Sequence, residues 1–486
     1  MTKIKKEKSL KKNSIYYLFY NVINLAFPLI TGIYVARVLL PNDIGRVASA
    51  QNLAQYFVIL SFLGIPTYGL RELSKIRDDR NQFNKVFSEL YTINFISTII
   101  FLVLYLVLVA LIPMYRQNFV FYLISGISIA LNLCHISWMY EALEEYKFIS
   151  VRNIVFKVVY FVLLLCLVKD SNDCIIYALL TIVGTAGNSV LNMIYLPKFA
   201  KFDFKNMQLK RHMKSISALV MVNLAIEIYT LVDITMLNII SSDEKVAFYK
   251  YGSTIQKMLL TVVNSFTMVL IPRISYYYSK KKYKEYNELI SKVLLIIVIL
   301  STPMIVGILF VAEPIIVLMY GNSYIASAGI VQILSILLLV SPIGYLLGSR
   351  VLLVTGHENK MILAVGSGAI MNFFGNLLLI PMYNEYGAAI ASVIGEIIVM
   401  VIYVTMGRKH YKLNNIKKTF YKVLISCLMM VIYLIACVEY LKLEIISTLI
   451  VEIVGAVTIY FGSLVIMKEE MVSTYFNKLV LKRKDV

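Results

Sequence analysis

This sequence predicts an all-α integral membrane protein of about 14 transmembrane helices. Three observations carry that expectation. Of the 486 residues, 59% are hydrophobic and only 15% are charged, and the mean hydropathy is +0.76. Ordinary soluble domains are about 45–50% apolar and about 25% charged. The apolar residues gather into runs of about 20, the length that crosses a bilayer as a helix. The 47 Lys and Arg residues lie mostly in short segments between those runs, as the positive-inside rule expects of a multi-pass protein.

Spans are expected to begin near Ser14, Ile44, Glu89, Phe119, Ile154 and Cys174, which form a first lobe over residues 14–196. A cytoplasmic loop, 197–215, follows, with "PKFAKFDFKNMQLKRHMKS" across it. The second lobe, 216–407, has spans beginning near Ile216, Tyr251, Leu289, Ala328, Met361 and Tyr386. After a further cytoplasmic loop, 408–419, a last pair of helices occupies 420–467, starting near Phe420 and Ile445. The basic tail 1–13 and the tail 468–486 complete the chain, and both termini are expected to be cytoplasmic. The basic tail runs into an apolar stretch too long for a cleavable signal, which makes that stretch an uncleaved first span. With that orientation, Arg37, Arg46, Arg116, Lys169, Lys245, Lys250 and Lys442 are the outer basic residues and Lys257 falls within a span. Outer loops such as "LPNDIGR", "KDSND" and "YNEYG" are short; the longest, "AEPIIVLMYGNSYIASA", reads as an interfacial segment. No extramembrane domain of useful size is expected, and the net charge of +19 serves topology rather than nucleic-acid binding.

The first spans of the two lobes start about 202 residues apart, the sign of an internal repeat. At that offset Asn21 meets Asn223, Gln55 meets Lys257, and Arg71 meets Arg273. Polar side chains recur on single helical faces of these spans. The first span carries Asn21, Asn24 and Pro28; the second carries Asn52, Gln55 and Tyr56. The seventh carries Asn223, Glu227 and Thr230, with Asp233 to one side, and the eighth carries Lys257, Thr261 and Asn264. A carboxylate in a span is expensive unless it meets water or a partner charge. Two readings stay open: these residues line a wet cavity shared by the lobes, or Glu227 or Asp233 simply pairs with Lys257 between neighbouring helices.

Arg71 and Arg273 follow span ends and serve either as ordinary anchors or as guanidinium forks for phosphate oxygens. Arg37 and Arg46 sit against the charge bias and are candidates for an outer gate or exit. Glu396 is an intramembrane acid suited to a proton site or a helix contact, while Glu452 reads as a contact. The five cysteines lie in or beside apolar runs without metal spacing and read as small apolar side chains. No HExxH, GxxxxGK[ST] or GxSxG pattern occurs, so the sequence points away from hydrolytic and nucleotide-driven enzymes.

The order and spacing of "LGIPTYGLRELSKIRDD", "YKFISVRNIVFKVVYFVLLLCLVKDSNDCIIYAL", "LIPRISYYYSKKKYKEYNELI" and "SPIGYLLGSRVLLVTGHENKMILAVGSGAIMNFFGNLLLIPMYNEYGAAIASVIGE" resemble Wzx-type polysaccharide flippases. These belong to the MOP superfamily with the MATE exporters and lipid II flippases. The resemblance implies two six-helix lobes plus two appended helices in a bacterial cytoplasmic membrane. It implies alternating access and passage of an undecaprenyl-diphosphate-linked oligosaccharide to the outer leaflet. Lipid II flipping and cation-coupled drug export are the alternatives within the same fold. By position, Arg37, Arg71, Asp233 and Lys257 match places where such flippases carry charge. The resemblance also implies no cofactor, coupling to a Na+ or H+ gradient with Glu227, Asp233 or Glu396 as coupling candidates, and contact with membrane lipids. A polysaccharide polymerase and glycosyltransferases would be its neighbours.

Overall fold

A computed structural model describes residue 24 and residues 27–474, apart from 269, 358, 415 and 442; the side chains at 186, 217–229, 268 and 271 also lie outside the description. The chain divides into two compact units, Met1–Ala247 and Phe248–Val486.

The first unit contains α1 (Phe27–Val38), α2 (Pro41–Phe62), α3 (Ile65–Lys75), α4 (Arg80–Leu111), α5 (Pro113–Gln117), α6 (Phe119–Leu131) and α7 (Ser137–Ala142). It continues with α8 (Tyr146–Leu167), α9 (Cys174–Ile182), α10 (Asn188–Tyr195) and α11 (Lys210–Ile240). A π-turn at Val183–Gly187 joins α9 to α10, where the helix bends by 41°. Its packing is that of a membrane bundle, with small residues where backbones approach. Gly45 on α2 is an instance: a Cβ there would lie 1.7 Å from the carbonyl oxygen of Asp243. Fully buried Phe83, Phe87, Leu90 and Tyr140 form one core, whereas Phe95, Ile99, Ile100 and Val103 of α4 stay exposed as a lipid-facing stripe.

The helix α12 (Asp243–Met268) runs from the first unit into the second. After it come α13 (Ile271–Ser279), α14 (Tyr283–Tyr320), α15 (Ala326–Ser335), α16 (Leu337–Gly344) and α17 (Val351–Val354). The last three are α18 (Asn359–Gly407), α19 (Ile416–Tyr440) and α20 (Ile445–Ile466). α18 is a hairpin broken at Asn384, whose φ of 50° and ψ of −127° are not helical. Its halves pack antiparallel through small residues: Gly368 against Val399, Gly375 against Ala391, and Gly387 against the backbone of Leu379. α19 and α20 pack on α14 through Val298, Met430, Leu434 and Tyr460, and the Tyr460 hydroxyl donates to the Ile299 carbonyl at 2.8 Å.

Among the described residues ten helical stretches are long and apolar enough to cross a membrane, eleven when the bent α9–α10 pair counts as one span. Two helices begin several residues before their apolar windows do, because polar turns extend them beyond the oil: α4 starts at Arg80 rather than Glu89, and α8 at Tyr146 rather than Ile154. Arg152, which the expected start near Ile154 leaves in the preceding loop, is therefore buried within α8, as is Lys157. The segment "AEPIIVLMYGNSYIASA" is not a separate interfacial piece. Its first half continues α14 through Pro314 to Tyr320, since an apolar helix need not stop at the minimum spanning length; 38 residues extend about 57 Å.

Candidate functional site

α12 places the polar residues of the eighth span. Lys257 and Thr261 are exposed and Asn264 is half-buried. At about 100° per residue they share one face, and the Thr261 hydroxyl donates to the Lys257 carbonyl at 2.8 Å. Val262 and Phe266, 47% and 55% exposed, lie about half a turn away. The remaining face, with Ser253, Gln256, Val263 and Thr267, is buried. The helix thus shows three distinct surfaces: one packed, one apolar and open, one polar and open. An ammonium facing hydrocarbon carries a large penalty, so the polar open face suits water or a polar ligand.

In the first unit α2 meets α11. Asn52 donates to the Leu231 carbonyl at 3.1 Å and to the Thr235 hydroxyl at 2.8 Å, and Tyr56 shares a 3.0 Å hydrogen bond with Thr235. Asn52 is therefore a buried helix-to-helix bond, while Gln55 on the same helix is exposed. Asp233 is 7% exposed and neighbours Tyr56. Asn24 accepts from Asn153 of α8 at 3.3 Å. Arg37 is exposed near the end of α1 and Arg273 near the start of α13. Glu396 is half-buried and accepts from Ser341 at 2.9 Å within the second unit. Asn21, and the side chains of Asn223 and Glu227, lie outside the described residues.

Arg71, on α3, is exposed, paired with Glu72 at 3.0 Å and set 5.4 Å from the Tyr68 ring centroid. Behind it lies a network that sequence reading missed. The Tyr68 hydroxyl is 2.9 Å from His212 Nδ1, and His212 Nε2 is 2.9 Å from a Glu89 carboxylate oxygen. Glu89 also pairs with Arg211 and accepts from the Gln208 backbone N–H at 2.7 Å. Glu89 is fully buried and His212 is 4% exposed. An acid inside "FSELYT" followed much later by "QLKRHMK" was the only available signal. A second missed cluster surrounds α8: Arg152 bonds Asn192 and stacks 5.2 Å from Phe148, while Lys157 lies 4.9 Å from the Phe27 ring. Among the described residues no group of three His, Cys, Asp or Glu side chains is arranged to hold a metal ion.

Helices broken within a span and ionisable residues on spanning helices are features of multi-pass transporter folds. The solved structure titled lipid II flippase MurJ, inward closed conformation, superposes with a TM-score of 0.72 at 15% identity, covering 97% of this chain and 100% of that one. An inward-facing multidrug resistance MATE transporter gives 0.59 at 13% identity, covering 82% and 97%; both likenesses concern the fold alone. Residues 10–278 match the family described as polysaccharide biosynthesis protein, and residues 218–378 match the MatE family. The chain belongs to the polysaccharide biosynthesis protein family. A protein of Escherichia coli (strain K12) described as a candidate O-antigen transporter is 21% identical over 400 residues, covering 80% of this chain and 95% of its own. One of the same description from Shigella dysenteriae is 20% identical over 396 residues, covering 81% and 98%.

Proposed function

We propose that this protein is a flippase carrying an undecaprenyl-diphosphate-linked oligosaccharide repeat unit from the cytoplasmic to the outer leaflet, for surface polysaccharide export. The carrying observation is the polar open face of α12, with Lys257 opposite the lipid-type face of Val262 and Phe266. Sugar hydroxyls crossing a dry core would each lose several kcal/mol of hydration; a wet path along Lys257, Thr261 and Asn264 removes that barrier. In this reading the lipid tail stays in the membrane and the protein alternates between two openings of a hydrophilic, charged cavity. Fourteen spans with both termini cytoplasmic fit the hairpin in α18 and the two apolar helices, Phe27–Val38 and Thr230–Ile240, whose preceding residues lie outside the described side chains. Arg71 and Arg273 would meet the diphosphate at the cytoplasmic entrance, and Arg37 would stand near the exit. Glu227, Asp233 and Glu396 are the acids through which a Na+ or H+ gradient would couple. The polymerase and the glycosyltransferases that handle the same repeat unit would act beside it.

Deletion of the gene tests the reading. The expected outcome is accumulation of a lipid-linked sugar repeat unit on the cytoplasmic leaflet and loss of surface polysaccharide in viable cells. Accumulation of lipid II with loss of viability would instead assign the peptidoglycan substrate, and unchanged lipid-linked pools would remove the flippase function.

A further inference from the structure

We propose that the second unit carries a binding pocket for a phosphate group where the turn after α18 folds back over the first turns of α14. The pocket is a cavity of about 400 Å³ lined by Tyr278, Tyr283, Tyr286, Arg408, Lys409 and Lys412 among others. Its construction follows from the chain path. α18 stops at Gly407, where a Cβ would lie 2.3 Å from the Leu347 carbonyl oxygen. One 3-10 turn, Arg408–His410, follows, and Tyr411 is extended. The strand-like return is then clasped onto α14: the Lys412 N–H donates to the Asn287 side chain at 2.8 Å, and the Asn414 N–H to the Ser291 hydroxyl at 3.1 Å. Those two bonds hold three basic side chains over the tyrosines.

The first unit builds the same clasp and fills it differently. The Lys201 N–H donates to Asn84 at 3.0 Å and the Asp203 N–H to Ser88 at 2.7 Å, after a 3-10 turn at Leu196–Lys198. Asn84 and Ser88 are displaced from Asn287 and Ser291 by one and the same spacing, so the two sites are repeats of a single device. At that spacing the fully buried Phe83 corresponds to Tyr286, and Glu89, which pairs with Arg211, corresponds to Lys292. The first unit is thus closed by a phenyl ring and an ion pair. The second keeps a hydroxyl where the first has a phenyl ring, and a single cation, Lys292, where the first has an acid.

Two observations identify the occupant. The Tyr286 side chain is 1% exposed, and its buried hydroxyl has no hydrogen-bond partner among the described residues, an unfavourable state that a small shift of the ring toward a ligand oxygen would relieve. Arg408, Lys409 and Lys412 are exposed, and no acid is among the side chains lining the pocket. A guanidinium fork, two ammonium groups and phenolic donors together suit a phosphate better than any neutral ligand. The pocket stands at the ends of the spanning helices α14 and α18, within reach of both a phospholipid headgroup and a soluble phosphate, and the experiment separates these sources.

The full chain in phosphatidylcholine nanodiscs is titrated with inorganic phosphate, read as a melting-temperature shift. In parallel, nanodiscs doped with phosphatidylglycerol are examined by native mass spectrometry for retained anionic lipid. Binding in the first arm assigns a soluble phosphate, and retention in the second assigns a headgroup. Whichever probe binds, the double variant Arg408→Gln, Lys412→Gln is expected to weaken it at least about tenfold, the scale of losing charge-assisted hydrogen bonds. Tyr286→Phe, which copies Phe83, is expected to weaken it less while leaving the ligand-free melting temperature in place. The double variant Lys417→Gln, Lys418→Gln removes the same charge from exposed positions outside the pocket and is expected to bind as wild type. Absence of binding in both arms, or equal loss in the two double variants, overturns the proposal. Transport is not the readout, so this result and that of the gene deletion are independent.

Discussion

Glu89→Ala is expected to be among the most damaging single substitutions in the first unit. It removes the common acceptor of His212, Arg211 and the Gln208 N–H, so the buried His212 ring keeps its Tyr68 contact but loses the carboxylate at Nε2. Breaking a buried ion pair on one side costs about 3–5 kcal/mol; the Arg211 side chain is 40% exposed, which puts this case near the lower end. The measurement is the melting temperature of purified protein with its yield from membranes. Both are expected to fall sharply for Glu89→Ala and less for Glu89→Gln, whose amide oxygen still accepts from Gln208. Arg71→Ala on the neighbouring helix removes only an exposed ion pair, of the class worth about 0–1 kcal/mol, and is expected to leave stability unchanged. Equal stability of Glu89→Ala and wild type would mean that the network is not what pins the start of α11 to α3 and α4.

Lys257→Ala separates function from stability in the opposite way. The side chain is exposed and its neighbours Thr261 and Asn264 keep the face polar, so the fold loses little. If the ammonium meets the phosphate-bearing head of the substrate, its loss removes a charge-assisted contact worth about 1.5–3 kcal/mol, a fall of about tenfold to a hundredfold in transport. Surface polysaccharide, normalised to protein in the membrane, is the readout. Lys257→Arg, which keeps the charge, is expected to retain most of it. Wild-type polymer from Lys257→Ala would take this residue out of the path.

The helices were legible because hydropathy reports which segments must satisfy their own backbone in oil; the predicted span starts near Phe119, Cys174 and Ile445 coincide with helix starts. Bends were not. The π-turn at Val183–Gly187, and the continuation of α14 past Pro303 and Pro314 without a break, depend on neighbouring helices that local composition does not encode. "YNEYG" is one of the expected short outer loops, and the break at Asn384 falls there, because Asn tolerates a positive φ. Of the polar residues, the spacing of Lys257, Thr261 and Asn264 was enough to put them on one face. Asn52 shared the same kind of pattern and is a buried bond to α11. Periodicity selects a face but does not distinguish a packed face from an open one. A repeat was expected at an offset of about 202, but the clasp of Asn84 with Ser88 and of Asn287 with Ser291 repeats at one residue more, and it rests on side chains that bond to backbone groups more than a hundred residues away. Glu89 escaped for the same reason: two of its partners, Arg211 and His212, come from the first turn of α11, a stretch whose sequence looks merely basic.

Cysteine accessibility along α12 tests the wet face most directly. Single cysteines at Lys257, Thr261, Asn264, Val262 and Phe266, in a protein otherwise free of cysteine, are exposed in native membranes to a membrane-impermeant maleimide from either side. The expected result is labelling at Lys257, Thr261 and Asn264 and protection at Val262 and Phe266. Protection at all five, or labelling confined to Val262 and Phe266, would contradict a water-facing polar path on this helix.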